Sequence, residues 1–145
     1  MTKLFGMRRL VHGMMVVCLF LLSPLTDAYA AAEHAQYITQ TTPSRLVAGE
    51  TAKVSITFKN SGKMDWSKAK GYMLRYIGKN DASVWGMETI EMSESKEIIP
   101  GGMVTFSFQI SAPTEPGIYD FQWQMALDGK GNFGERSEST LIRIE

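Results

Sequence analysis

The chain has 145 residues, of which 44% are hydrophobic and 21% charged, so it can bury the core of one domain and lacks the composition of a disordered protein. Its 15 basic residues balance its 15 acidic ones, and without net positive charge we do not expect a partner made of nucleic acid. One cysteine and two histidines exclude most metal centres and nucleophilic active sites, which need several such side chains close together.

The first thirty residues have the pattern of a secretory signal peptide. Arg8 and Arg9 precede an apolar run over residues 14–22, and Ala28 and Ala30 are the small residues that a signal peptidase requires. We therefore predict cleavage after Ala30, which makes the protein periplasmic or secreted, with no stable membrane insertion after cleavage. The apolar run is shorter than the roughly 20 residues of a membrane span, and an uncleaved membrane anchor is the alternative.

Cleavage after Ala30 would change the chemistry of the chain. It would remove Cys18, so the exported protein would contain no cysteine and no disulfide. His34 would be the remaining histidine, and it lies in residues 31–39, which we predict to form a flexible leader before a domain at residues 40–145. A catalytic triad or a transition-metal site cannot be assembled from these residues. We therefore predict a protein that is not an enzyme and has no cofactor and no metal.

Beyond the leader, apolar and polar residues alternate with the period of half-buried strands. The alternating runs are Val54–Phe58, Tyr72–Ile77, Val104–Ile110, Tyr119–Met125 and Leu141–Ile144. Segments rich in Gly, Pro, Asn and Asp separate them, as turns do. This pattern predicts an all-β fold, an antiparallel sandwich of two sheets with about seven strands. We expect the core to contain Ile56, Phe58, Leu74, Phe106, Phe108, Tyr119, Phe121, Trp123 and Met125.

Two local features sharpen this prediction. Tyr119 follows Gly117 at the start of a strand, as in a tyrosine corner, where the hydroxyl group bonds to nearby backbone. The stretch from Asp128 to Phe133 is rich in glycine, and we predict that it is the hairpin loop joining the last two strands.

An ordered set of motifs is similar to a known family. The motifs are VAGET (47–51), ITFKNSG (56–62), Trp66, GYML (71–74), Trp85, IPG (99–101), APTEPGIY (112–119), WQM (123–125), DG (128–129) and FG (133–134). Together they resemble the four-tryptophan (FW) Ig-like domain, which occurs in the centre of a selective-autophagy cargo receptor and in bacterial exported proteins. Ile56 stands where the family has its first tryptophan. The resemblance implies an Ig-like sandwich with a protein-docking role.

We therefore expect a binding module that docks a protein or peptide partner through end loops or an open edge strand. The residues expected to bind this partner are Trp66, Trp85, Lys130, Asn132 and Phe133. For Trp66 and Trp85, burial in the sandwich is the favoured expectation, and exposure at a contact surface is the other. Carbohydrate or cell-wall binding, with Trp66 or Trp85 stacked on a sugar ring, is the alternative function.

Overall fold

The computed structural model describes residues 32–145, and the predicted signal peptide lies outside this range. The described residues form an all-β structure, as the alternating pattern predicts. Its strands are β1 (Ala35–Thr41), β2 (Arg45–Leu46), β3 (Thr51–Asn60), β4 (Trp66–Ser67), β5 (Tyr72–Tyr76), β6 (Thr89–Glu91), β7 (Glu97–Ile98), β8 (Met103–Ser111), β9 (Gly117–Phe121), β10 (Trp123–Leu127), β11 (Gly131–Arg136) and β12 (Thr140–Ile144).

The long strands form because their side chains alternate between the core and the solvent. In β3, Val54, Ile56 and Phe58 are buried, while the residues between them are partly exposed. In β8, Val104 and Phe106 point inward, and Thr105 between them is exposed. β3 and β8 pair antiparallel over nine residue pairs from Thr51↔Ser111 to Lys59↔Met103. A slip of one residue would turn each apolar set to the solvent, so the pattern determines this register.

The sandwich consists of two layers that enclose one hydrophobic core. One layer is the three-stranded sheet β1-β3-β8, and the other contains the four-stranded sheet β11-β10-β5-β6. The rings of Phe108 and Trp123 meet between the layers, with 5.1 Å between ring centroids. A third sheet, β2-β12-β9, continues the second layer, and β4 pairs with β7.

The described residues contain twelve strand segments, more than the seven strands expected, because two long strands are interrupted and three segments, β2, β4 and β7, have only two residues each. Only Gln122 separates β9 from β10, and three residues separate β11 from β12. At this break Ser137 bridges the strands: its N–H donates to the Trp123 carbonyl at 2.8 Å, and its hydroxyl accepts from the Trp123 N–H at 2.9 Å. The two interrupted strands, β9–β10 and β11–β12, therefore stay hydrogen-bonded to each other across the break.

The structure corrects the prediction of a flexible leader over residues 31–39. Within the described part, Ala35–Thr41 forms strand β1, and Ala35 pairs with Asn60. His34 is held to the turn after β3, where its Nδ1 lies 2.5 Å from the Ser61 hydroxyl. The domain therefore begins before residue 40, because the backbone groups of β3 are paired on this side.

The structure also corrects the hairpin loop predicted over residues 128–133. The turn is shorter, with the Lys130 N–H donating to the Leu127 carbonyl at 3.0 Å, and β11 begins at Gly131. Phe133 is a buried strand residue, with 7% of its surface exposed. The glycines that suggested a longer loop have positive φ at Gly129 and Gly131, which bends the chain sharply enough to pair at once.

The predicted core is confirmed in its main features. Fully or almost fully buried are Ile56, Phe58, Leu74, Phe106, Phe121, Trp123 and Met125. Phe108 and Tyr119 are partly buried and pack against this core. The predicted tyrosine corner is also confirmed, because the Tyr119 hydroxyl donates to the Glu115 carbonyl at 3.0 Å.

Candidate functional site

The structure places two of the residues expected to bind a partner, Trp66 and Phe133, inside one end of the sandwich. Trp66 has no exposed surface. Its ring lies 5.8 Å from that of Phe133, and Tyr72 completes the cluster, with its ring 6.2 Å from Trp66 and 5.9 Å from Phe133. Aromatic contacts of this kind stabilise the fold by about 1 kcal/mol each beyond burial. The expectation that Trp66 contacts a partner directly is therefore wrong, whereas Phe133 keeps 7% of its surface exposed.

Trp85 is buried too, and its indole belongs to a hydrogen-bonded cluster around Asp120. The Trp85 N–H donates to the Asp120 carbonyl at 3.0 Å, and the Tyr76 hydroxyl donates to the same oxygen at 2.8 Å. Burial raises the pKa of Tyr76 above its ordinary value. The favoured expectation of burial is confirmed for both tryptophans, and Trp85 is not available for direct contact with a partner.

Lys130 and Asn132 are exposed. They line a concavity of about 420 Å³ together with Phe133, Glu33 and His34. The Asn132 Oδ1 accepts a hydrogen bond from Arg75 at 3.1 Å. Three of the five residues predicted as a binding site therefore line one concavity, and the buried Trp66 and Trp85 do not line it.

The edges of the sheets are possible binding surfaces, since an edge strand has backbone groups directed away from its sheet. The edge of β1 is covered by the opposite layer. The Tyr37 N–H donates to Glu135 Oε2 at 2.9 Å, and the Gln40 side chain donates to the Thr140 hydroxyl at 2.8 Å. The edge of β9 is covered as well, because the Asp120 N–H donates to Asn80 Oδ1 at 2.8 Å.

The edge of β8 differs, as its backbone shows. In an antiparallel pair, successive residues direct their N–H and C=O groups alternately to one neighbour and to the other. The Ser111 N–H donates away from β3, to the Trp85 carbonyl at 3.1 Å, whereas the Ala112 N–H donates to the Glu50 carbonyl on the β3 side. By this alternation Thr105, Ser107 and Gln109 direct their backbone groups outward. Among the described residues, no backbone partner for these outward groups is found.

A groove follows this edge, and we call it the β8 groove. Its first part has a volume of about 410 Å³ between β8, from Val104 to Ser107, and the segment 90–96, which starts within β6. Its second part, about 340 Å³, lies over the β3–β8 pair, where Lys53 pairs with Gln109, and shares Ser107 with the first. The first part therefore lies along the edge of β8, where an added strand would pair, and the second part lies beside it on the sheet.

The far wall of the β8 groove carries an ion-pair cluster. The Lys68 ammonium lies 2.8 Å from Glu91 and 3.1 Å from Glu94. The Lys68 ammonium donates hydrogen bonds to these two carboxylates, and these bonds, first that to Glu91 and then that to Glu94, raise the pKa of Lys68. Because these groups are exposed, the cluster adds little to stability. It holds the segment after β6 across from β8 and thereby helps to shape the groove.

Sequence reasoning anticipated an open edge strand among the possible docking surfaces and did not locate it on β8. The alternation in Val104–Ile110 shows that Thr105, Ser107 and Gln109 share the exposed face. Whether β8 lies at an edge depends on the order of strands in the sheet. That order follows from pairing between distant segments, which no local pattern contains.

Two packed layers, antiparallel except where β2 pairs with β12, a buried tryptophan on β10 and a tyrosine corner at Tyr119 define an Ig-like domain. Residues 32–141 match the family described as "Ig-like domain from next to BRCA1 gene". The chain belongs to this family, which confirms the resemblance carried by its motifs. No curated protein matches the chain.

Solved structures support the same fold. The CARDB domain of PF1109 from Pyrococcus furiosus superposes with a TM-score of 0.51 at 13% identity, over 77% of this chain and 96% of that domain. Native alpha-2-macroglobulin from Escherichia coli, from domain MG7 to its C-terminus, superposes with a TM-score of 0.50 at 13% identity. That match covers 80% of this chain and 17% of the other. Similarity at this identity shows the fold alone.

Within residues 32–145, the structure has no helix that is both long and apolar enough to cross a membrane. In the same range, no group of three or more His, Cys, Asp or Glu side chains is arranged to hold a metal ion.

Proposed function

We propose that this chain is an exported, non-enzymatic binding module that takes an extended segment of a protein partner as an added strand along β8. The observation that carries the proposal is the open edge of β8 with its adjoining groove. The signal-like pattern of residues 1–30 supports export, and the scarcity of histidine and cysteine supports binding rather than catalysis. The protein-docking role implied by the family resemblance agrees with it.

The geometry suits a strand. Neighbouring strands lie about 4.8 Å apart, so a segment beside β8 would pair with the outward groups of Thr105, Ser107 and Gln109. Six backbone hydrogen bonds at about 1 kcal/mol each and two buried apolar side chains at about 2 kcal/mol each would give about 10 kcal/mol. Association costs roughly half of that, which leaves about 5 kcal/mol, so we expect dissociation constants of roughly 0.1 to 1 mM.

The carbohydrate alternative loses its structural basis. It requires an exposed indole face that can stack on a sugar ring, and Trp66 and Trp85 each have 0% exposed surface. The indole N–H of Trp85 is already bonded to Asp120. Protein or peptide binding along β8 is therefore the function that the geometry supports best.

The test is to block the edge without changing the core. In Ser107→Pro the outward N–H is lost, and the inward hydrogen bonds of β8 remain, because those of Ser107 do not face β3. Proline is tolerated at such edge positions. We expect linear peptides selected from a random displayed library to bind the unmodified chain and to bind Ser107→Pro at least ten-fold more weakly.

Ser107→Ala is the matched control, since it removes the hydroxyl and keeps the N–H. It should bind the selected peptides as the unmodified chain does. Circular dichroism and thermal unfolding of both variants check that the fold is intact. If the selected peptides bind Ser107→Pro as tightly as Ser107→Ala, or if no peptide is selected, the proposal is wrong.

A further inference from the structure

The outer face of the β3–β8 pair has an uneven charge. Its side chains point away from the core and are Thr51, Lys53, Ser55, Thr57, Lys59, Met103, Thr105, Ser107, Gln109 and Ser111. Two are lysines and none is a carboxylate. The ion pairs of the described residues do not include Lys53 or Lys59. This face is therefore positive and hydroxyl-rich.

Lys53 lies close enough to the edge to affect a bound segment. It is paired with Gln109 across the β3–β8 ladder. It also lines the second part of the β8 groove together with Ser107 and Gln109. The Lys53 ammonium is thus within reach of outward side chains on a strand added to β8. Exposed charges interact over about 8–10 Å at physiological salt, which covers this separation.

The inner side of the β8 groove is apolar. Val104 and Phe106 of β8 line it together with Ile90 and Met92 of the opposite wall. Val104, Phe106 and Met92 are 3–5% exposed and belong to the core, whereas Ile90 is partly exposed. The charges on this wall nearly cancel, because Lys68 and Lys96 stand beside Glu91 and Glu94. This side of the groove therefore favours apolar side chains of a bound segment, and the charges on the wall favour neither an acidic nor a basic segment.

We infer that the segment bound along β8 alternates apolar and acidic residues. Successive side chains of a strand point to opposite faces, so one set would enter the apolar side of the groove and the other would lie on the positive outer face. The inference rests on the proposed function and adds the chemistry of the partner. It predicts a preference for acidic over basic segments of otherwise equal composition.

Two synthetic peptides test this preference: one alternates valine with glutamate, and the other alternates valine with lysine. Both are titrated into the ¹⁵N-labelled full chain and followed by NMR. We expect the glutamate peptide to shift the amide signals of Thr105, Ser107 and Gln109 and to bind at least five-fold more tightly than the lysine peptide. Lys53→Glu should reduce this ratio to three-fold or less.

Lys63→Glu is the matched control, because it makes the same charge change in the turn after β3, at the end where Lys63 contacts Ala32. It should leave the ratio unchanged. Equal binding of the two peptides, preference for the lysine peptide, or no binding of either would overturn the inference. If library peptides bind the unmodified chain, bind Ser107→Pro more weakly and yet lack alternating acidic residues, this inference fails and the proposed function stands. If no library peptide binds Ser107→Pro more weakly than the unmodified chain, the proposed function fails.

Discussion

The two edges of one sheet, β1 and β8, differ in how far the opposite layer covers them. At β1 the Glu135 carboxylate accepts a hydrogen bond from the Tyr37 backbone N–H, and the Thr140 hydroxyl accepts one from the Gln40 side chain. Both acceptors come from the opposite layer. At β8 the opposite layer ends in the three-residue strand β6, and a groove separates it from β8. The same sheet thus has one closed edge and one open edge.

The difference shows what closing an edge requires. β11 approaches the start of β1 so closely that a Cβ atom on Gly134 would lie 2.5 Å from the Ala35 nitrogen. Gly134 also has φ of +73°, a conformation that residues with a side chain rarely adopt. Within the described residues, no such close backbone approach joins β6 to β8. An edge strand with open backbone groups invites pairing with another chain. β8 leaves the outward groups of Thr105, Ser107 and Gln109 available, up to the Ser111 N–H that donates to the Trp85 carbonyl.

The largest effect is expected from Gly134→Ala, which pushes β11 away from β1. Left-handed backbone costs about 1–2 kcal/mol for a residue with Cβ, and a clash with backbone adds about 1–3 kcal/mol. We expect the free energy of unfolding to fall by about 3 kcal/mol or more, measured by urea denaturation. Gly101→Ala, just before β8, is the control, because its φ is +86° and nothing lies within 4 Å of its Cβ position. It should lose about 1–2 kcal/mol, and equal losses would contradict a tight crossing at β1.

The fold was predictable from the sequence because its main determinant is local. Alternation in Val104–Ile110 and around Trp123 and Met125 identifies strands and their inward faces, and the Tyr119 corner depends on residues only four apart. β1 was missed in part because its start, Ala35 and Gln36, has no strongly apolar alternation. β11 was missed at its start because Gly131 suggests a loop as readily as a strand next to a tight turn.

The candidate site was less predictable, because it depends on which distant segments meet. An aromatic ring in the sequence has the same chemistry whether buried or exposed. Trp66 and Phe133 are buried because β4 and β11 converge with Tyr72 at one end. The open edge of β8 depends on the sheet order β1-β3-β8. Thr105, Ser107 and Gln109 are ordinary exposed strand residues until that order is known.

A smaller effect is expected from Glu135→Ala, which removes the acceptor that covers the β1 edge. The lost hydrogen bond to the Tyr37 N–H should cost about 1 kcal/mol or less, since the carboxylate is exposed. Hydrogen exchange at the Tyr37 amide should become up to about five-fold faster. Glu135→Gln keeps an acceptor oxygen and should change the exchange rate less. If Glu135→Ala leaves the Tyr37 rate unchanged, the side chain does not close this edge.

The smallest effect concerns the Tyr37 phenol on the closed edge. Burial raises the pKa of Tyr37 above its ordinary value of 10.0, and the nearby Glu138 carboxylate raises this pKa further. The folded state therefore holds this proton more tightly than the unfolded state does. The resulting stability is complete below the unfolded pKa and is lost as the pH rises through the folded pKa. Urea denaturation between pH 8 and pH 11 should show a shallower alkaline loss for Tyr37→Phe, which keeps the ring contact with Phe58. Glu138→Gln should have a weaker effect in the same direction, because the Glu138 charge is the second cause of the raised pKa. Identical pH profiles for the unmodified chain and both variants would show that the closed edge does not bury this phenol.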